Sequence, residues 1–225
     1  MRTIAQLIEA VHQEAVRAPF PVDTPVYERA EKDPSMPVLF AGSLDAPVCV
    51  FGRDLGKDEV AVGEPLVGAG GRLVRSGLYK AKHGEPPKKT DRRIEAALSE
   101  ALLTNTVPYK PPGNKAYAES VKERFRPFVA ELLVVHWKGN RVISLGNEAF
   151  QWFSRYADPA EIAALWARED RYEAELDCRL TVVVDGKSRE KNIKLCPLPH
   201  PSPLNARWYG LFPELLAQRL AAIPS

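Results

Sequence analysis

Short apolar runs alternating with helical stretches predict an α/β fold: a three-layer α/β/α sandwich with a central, mostly parallel four-stranded sheet. Three observations carry this expectation. Four brief hydrophobic runs, Val48–Gly52, Leu102–Val107, Arg141–Gly146 and Ile193–Leu198, each close on or just before glycine or proline. The first and third are rich in Val and Ile, as suits strands buried on both faces. Segments long enough for helices separate all four.

In chain order, Ile4, Leu7, Ile8, Val11 and Ala15 fall at helical spacing and predict an amphipathic helix over 3–17. Pro19, Pro21, Pro25, Pro34 and Pro37 then predict an irregular surface connector, so residues 1–46 form an extension and 47–225 the main domain. Helices are expected near 69–79, 91–100, 117–135, 147–156, 159–169 and 208–221. A further strand over 178–184 precedes Asp185-Gly186, a turn pair suited to a hairpin with the fourth strand. No internal repeat is present.

The chain has 225 residues, 45% of them hydrophobic and 27% charged, which fits one globular domain with a substantial core. Lysine and arginine total 31 against 29 acids, and a net charge of +2 does not by itself identify a polyanion partner. Positive charge is clustered, at Lys80, Lys82, His83, Lys88, Lys89, Arg92 and Arg93, and again at Lys187, Arg189, Lys191 and Lys194. Alone, either cluster reads as a solvated face. No apolar run reaches the roughly 18 residues of a membrane span, and the N-terminus lacks a signal peptide's pattern, so a soluble, intracellular chain is expected. Cys49, Cys178 and Cys196 are the only cysteines and make no CxxC pair, which suggests neither a disulfide framework nor a local metal motif.

In open parallel sheets the ligand crevice lies beyond the carboxyl ends of the strands. At or just after those ends come Asp54, Asn105 and His200, in the segments FGRDLG, LTNTVPYKPPGN and LPHPSPLN. Taken singly, each has a plainer explanation. Asp54 fits a turn or helix cap, Asn105 a local backbone partner, His200 a surface loop and Leu204 an ordinary core leucine. Gly68-Ala69-Gly70-Gly71 lacks the frame of a mononucleotide loop.

Together, these segments resemble the uracil-DNA glycosylase superfamily. Gly63-Glu64-Pro65-Leu66-Val67-Gly68-Ala69-Gly70 resembles the GxPFVGxAG loop of the thermophile-type family 4 enzymes. Thr104-Asn105-Thr106-Val107 with Lys110-Pro111-Pro112-Gly113-Asn114 resembles their TNVVKCRPPGN segment, and His200-Pro201-Ser202-Pro203-Leu204 resembles the superfamily's HPSPL loop. The resemblance runs from about Pro47 to Leu216, in the same order. Three departures matter. Tyr109 stands where a cluster cysteine precedes the PPG segment, so no iron–sulfur cluster, and no other cofactor or metal, is expected. Gly52-Arg53-Asp54-Leu55-Gly56 places an acid where family 1 places the aspartate of its GQDPY loop. Leu66 replaces the phenylalanine that stacks on uracil in family 4.

The resemblance implies a monofunctional enzyme that flips uracil from DNA and hydrolyses its N-glycosidic bond. Asp54 and His200 are the implied catalytic pair: the carboxylate orients water and favours the cationic sugar, and a neutral imidazole donates to uracil O2. Asn105 offers its carbonyl to N3–H and its amide to O4, a pattern cytosine reverses. Gly52, Arg53 and Leu66 complete the implied uracil pocket. Ser202, Pro201, Gly68 and Gly70 are implied DNA contacts, and Leu204 the apolar wedge that fills the vacated stack. Uracil-containing DNA and free uracil are the expected partners of a cytoplasmic, DNA-associated monomer that has no membrane association. Two alternatives remain open: a glycosylase for hypoxanthine or xanthine, and a uracil-DNA binding protein with low turnover.

Overall fold

The computed structural model describes residues 2–113 and 115–223, so Asn114 of the Pro-Pro-Gly-Asn segment lies outside the described residues. Helix α1 (Ile4–Arg17) opens the chain, capped by Thr3 in a reciprocal box with Gln6, and α2 (Thr24–Arg29) follows. Strands β1 (Phe40–Gly42) and β2 (Val48–Gly52) lead to helices α3 (Lys57–Val62) and α4 (Ala69–His83). Next come β3 (Ala101–Asn105), α5 (Glu119–Glu131), β4 (Arg141–Leu145), α6 (Asn147–Gln151) and α7 (Pro159–Ala167). The long hairpin of β5 (Leu176–Val184) and β6 (Lys187–Leu198) precedes α8 (Ala206–Tyr209) and α9 (Phe212–Ala221).

The sheet runs β1-β3-β2-β4-β6-β5. Its inner four strands are mutually parallel and are the four expected from the sequence; antiparallel β1 and β5 at the edges bring the sheet to six. The β5–β6 turn falls on Asp185 and Gly186, both at positive φ as a tight hairpin of right-twisted strands requires. Strand β1 was not expected: three residues are too few to display an alternating pattern.

Alternation along the inner strands divides the core in two. Cys49, Phe51, Leu102, Val142 and Leu195 face one side, where α1, α5, α6 and α7 supply Leu7, Val11, Phe125, Phe150 and Ile162. Val48, Val50, Leu103, Ile143 and Leu198 face the other, where α4 and α9 supply Val74, Leu78, Phe212 and Leu216. The result is the three-layer α/β/α arrangement. Residues before Pro47 take part in it, since α1 buries Leu7, Val11 and Ala15 in the first cluster and Phe40–Gly42 pairs with β3.

Three helices differ from expectation for local reasons. Residues 91–94 do not begin a helix: the Asp91 carboxylate accepts from Ile94 N, Ile94 is buried at φ 52°, and only the 3₁₀ turn Glu95–Ser99 follows. The segment 117–135 ends as an α-helix at Glu131 and continues as the wider turn Leu132–His136. The expected helix over 208–221 is broken in two, because Pro213 sits in the first turn of α9, where proline starts a helix rather than extending one.

Candidate active site

All four inner strands end at one edge, and the loops that leave them hold the expected residues. Gly52 and Asn105 are register partners at the ends of β2 and β3. A Cβ at position 52 would lie 2.3 Å from Asn105 Oδ1, so only glycine leaves room for the carboxamide. Asn105 is 2% exposed, and its Oδ1 has no hydrogen-bond partner among the described residues. A buried acceptor left unpaired costs about 1–3 kcal/mol, which favours a ligand that brings a donor to it.

Asp54 leaves the same corner with a side chain only 1% exposed. Its Oδ2 lies 3.0 Å from Arg53 Nε, and Thr106 Oγ1 lies 3.3 Å from its Oδ1. Thr106 also ties the loop to β3: its amide donates to the carbonyls of Gly52 and Arg53, and its hydroxyl to that of Arg53. Burial pushes the Asp54 carboxyl up to about 6, although the charges of Arg53 and Lys122 and the nearby Thr106 hydroxyl pull the other way. Arg53, whose implied contact is with the base, lies beside the acid, and 31% of its side chain is exposed.

His200 follows β6, two strands from β2. Its carbonyl accepts from Ser202 N at 2.9 Å and from Asn205 Nδ2 at 3.3 Å, which fixes the loop's turn. Behind it stands Gly146 at φ 82°, where a Cβ would meet His200 Cβ at 2.9 Å. The imidazole is solvent-accessible, but surrounding protein and the Arg53 charge hold its pKa below the ordinary 6.5, so the ring is neutral at pH 7. Arg53 thus acts electrostatically on both His200 and Asp54.

Leu66 reaches this corner from the glycine-rich loop, its Cδ2 lying 3.4 Å from where a Gly52 Cβ would be. Its φ of 55° is a left-handed conformation that costs a leucine about 1–3 kcal/mol. Buried Arg75 holds it there, donating to Leu66 O at 2.8 Å and Pro65 O at 3.0 Å. Glu59 provides a second clasp: Oε2 accepts from Gly56 N, and Oε1 from Val67 N and Gly68 N. The Gly68 amide is therefore committed to Glu59, a correction to its expected phosphate role. The first-turn amides of α4, those of Ala69, Gly70 and Gly71, have no intrahelical acceptor.

The glycine-rich and HPSPL loops touch, since a Cβ at Gly70 would come 2.4 Å from Pro201 O. Pro201 is buried, Ser202 Oγ accepts from Leu204 N at 3.3 Å, and Leu204 is 95% exposed. The exposure rules out the core-leucine explanation. Sequence reasoning missed Glu59, Thr106, Lys122 and Tyr117. Lys122 pairs with Glu148 at 2.6 Å, close enough to act on Asp54, and the Tyr117 hydroxyl is buried without a hydrogen-bond partner among the described residues, within the field of Asp54. Only Thr106 carried a signal, as the neighbour of Asn105.

The residues present do not suit a cysteine-ligated cluster. Tyr109 is packed 5.1 Å from the Phe20 ring and 5.2 Å from Phe125, and its hydroxyl donates to Ser35 O. The three cysteines lie buried in β2, β5 and β6, and no three His, Cys, Asp or Glu side chains among the described residues are grouped to hold a metal ion. No helix among the described residues is long and apolar enough to cross a membrane. A shallow hollow lined by Arg179, Glu190, Lys191 and Asn192 lies toward the other end of β6 and gathers no comparable set.

A parallel sheet with a buried acid, a buried carboxamide and a neutral imidazole along its carboxyl edge is the arrangement of an α/β enzyme. The chain belongs to the Uracil DNA glycosylase superfamily, whose family model matches residues 40–223. Membership makes it a glycosidase that acts on DNA in repair. No curated protein matches the chain.

Proposed function

We propose that this glycosylase removes uracil: it extrudes the nucleotide, hydrolyses the N-glycosidic bond and leaves an abasic site for base excision repair, with no metal or cluster. The supporting observation is the Oδ1 of Asn105, buried above Gly52 with no hydrogen-bond partner among the described residues. Uracil presents a donor at N3 to that acceptor, whereas cytosine presents an acceptor there, leaving both groups unpaired.

Bond cleavage leaves positive charge on the sugar and negative charge on the departing base. Asp54, ionised above pH about 6, orients the attacking water and favours the sugar cation. Neutral His200 donates to O2 of the base as charge gathers there, and Arg53 adds positive charge to the same crevice. Gly52 and Leu66 bound the pocket. Leu204 enters the vacated stack, while Ser202, Pro201 and the Gly70 turn contact the flanking backbone, now without the Gly68 amide. Lys110, in the Asn105 loop, is buried and committed to Asp23 at 2.9 Å and to the carbonyls of Pro111 and Gly113, which favours a reaction that ends at hydrolysis over attack by an amine on the sugar.

Release of free base from single- and double-stranded oligonucleotides carrying uracil, hypoxanthine or xanthine tests this function. Uracil should be released fastest. Preference for a purine would shift the substrate, and tight uracil-DNA binding without release would make the protein a binder.

A further inference from the structure

We propose that the segment Lys88–Arg93 is a backbone clamp that grips DNA phosphates flanking the extruded nucleotide, through Lys88, Lys89 and Arg92. The proposal takes the DNA-facing edge from the function above and adds a surface that none of the motif loops contains.

Charge supplies the first argument. Between Lys80 and Arg93 there are six lysines or arginines and two acids, a net +4 where the whole chain carries +2. Lys82 pairs with Glu100, and Arg93 with Glu64 and Glu95. Lys88, Lys89 and Arg92 are exposed and have no ion-pair partner among the described residues. Their charge is available to a polyanion.

Placement supplies the second. The segment is anchored to the loop that carries Leu66. Arg75, fully buried, donates to Arg93 O at 2.9 Å as well as to Leu66 O, Pro65 O and the Glu64 carboxylate. Arg93 reaches the same Glu64, and Arg72 donates to Arg92 O at 3.3 Å. Asp91 and the buried Ile94 fix the far end. Held through its backbone, the segment points its cationic side chains outward beside α4, whose Gly70 meets Pro201 of the Leu204 loop. Clamp, glycine-rich loop and wedge thus occupy one edge. The other basic cluster, at Lys187 and Arg189, lies at the hairpin turn about 35 Å along β6 from its site end.

The test is the salt dependence of duplex binding, on uracil-containing and undamaged DNA of the same sequence. Each duplex phosphate neutralised contributes about −0.9 to the slope of log K against log salt. Lys88→Ala/Lys89→Ala/Arg92→Ala should flatten that slope by about 2 to 3 on both DNAs. Lys187→Ala/Arg189→Ala should leave the slope as it is. An unchanged slope in the triple variant, or equal flattening in both variants, overturns the clamp. A flattened slope in a protein that releases no uracil upholds the clamp while removing the uracil function, so the two proposals fail separately.

Discussion

Arg53 Nε and Asp54 Oδ2, on consecutive residues, lie 3.0 Å apart just after the end of β2, with the carboxylate almost wholly buried and the arginine side chain partly exposed. An acid withdrawn from water beside a cation reaching into it is a tuned pair: burial raises the carboxyl and the cation restrains the rise. Several measurable properties depend on that balance.

Asp54 should set the acid limb of the reaction. The single-turnover rate is expected to fall as one group protonates near pH 6, and Asp54→Asn should lose about 10²–10⁴-fold. A rate that stays flat from pH 5 to 8, or full activity in the variant, would reassign the water-orienting role.

The same substitution should not weaken the fold at pH 7.5. In the unfolded chain the carboxyl titrates near 3.8, in the folded protein near 6, so the folded state holds the proton more tightly. That contribution is complete below pH 3.8 and is lost as pH rises through 6, an effect of at most about 3 kcal/mol. Asp54→Asn escapes the loss, and its Tm at pH 7.5 should equal or exceed the parent's; a clear drop would contradict the burial argument.

Arg53→Gln should move two titrations upward together. Without the guanidinium the Asp54 carboxyl rises further and the His200 imidazole returns toward 6.5. Histidine NMR and the pH–rate profile report the two shifts independently, and an unmoved His200 would mean that Arg53 does not act on it.

Asn105→Asp should erode the preference for uracil over cytosine. Gly52→Ala, which drives a methyl group against Oδ1, should lower kcat/KM by about 5- to 150-fold while the chain still folds. Unchanged selectivity in the first, measured by competition between the two bases, would remove the carboxamide from recognition.

Leu204→Ala should change the unfolding free energy by no more than about 0.5 kcal/mol, as suits a side chain that is 95% exposed. Its activity should fall more on duplex than on single-stranded substrate, and equal losses would argue against a wedge.

The inner strands were legible because chain buried on both faces is written as short β-branched runs, and their parallel order then fixed which ends carry a crevice. The edges were not. Phe40–Gly42 is too short for a pattern, and α2 and α3, six residues each, fall below a useful helical period. At the site, Asp54, Asn105 and His200 announced themselves at strand ends. Glu59 did not, because its role lies in accepting amides from before and after its own helix, and neither periodicity nor spacing records that. The Arg53–Asp54 contact was not legible either, because it depends on side-chain direction alone. The Gly68 amide was assigned to phosphate because nothing in a glycine-rich string reveals which of its N–H groups is already taken.

Since one glutamate side chain at position 59 gathers amides from both Gly56 and the Val67-Gly68 pair, the wall beside the acid and the turn that opens α4 behave as a single hinged plate. Neither can drift without dragging the other, so a bound nucleotide that steadies one end steadies both at once.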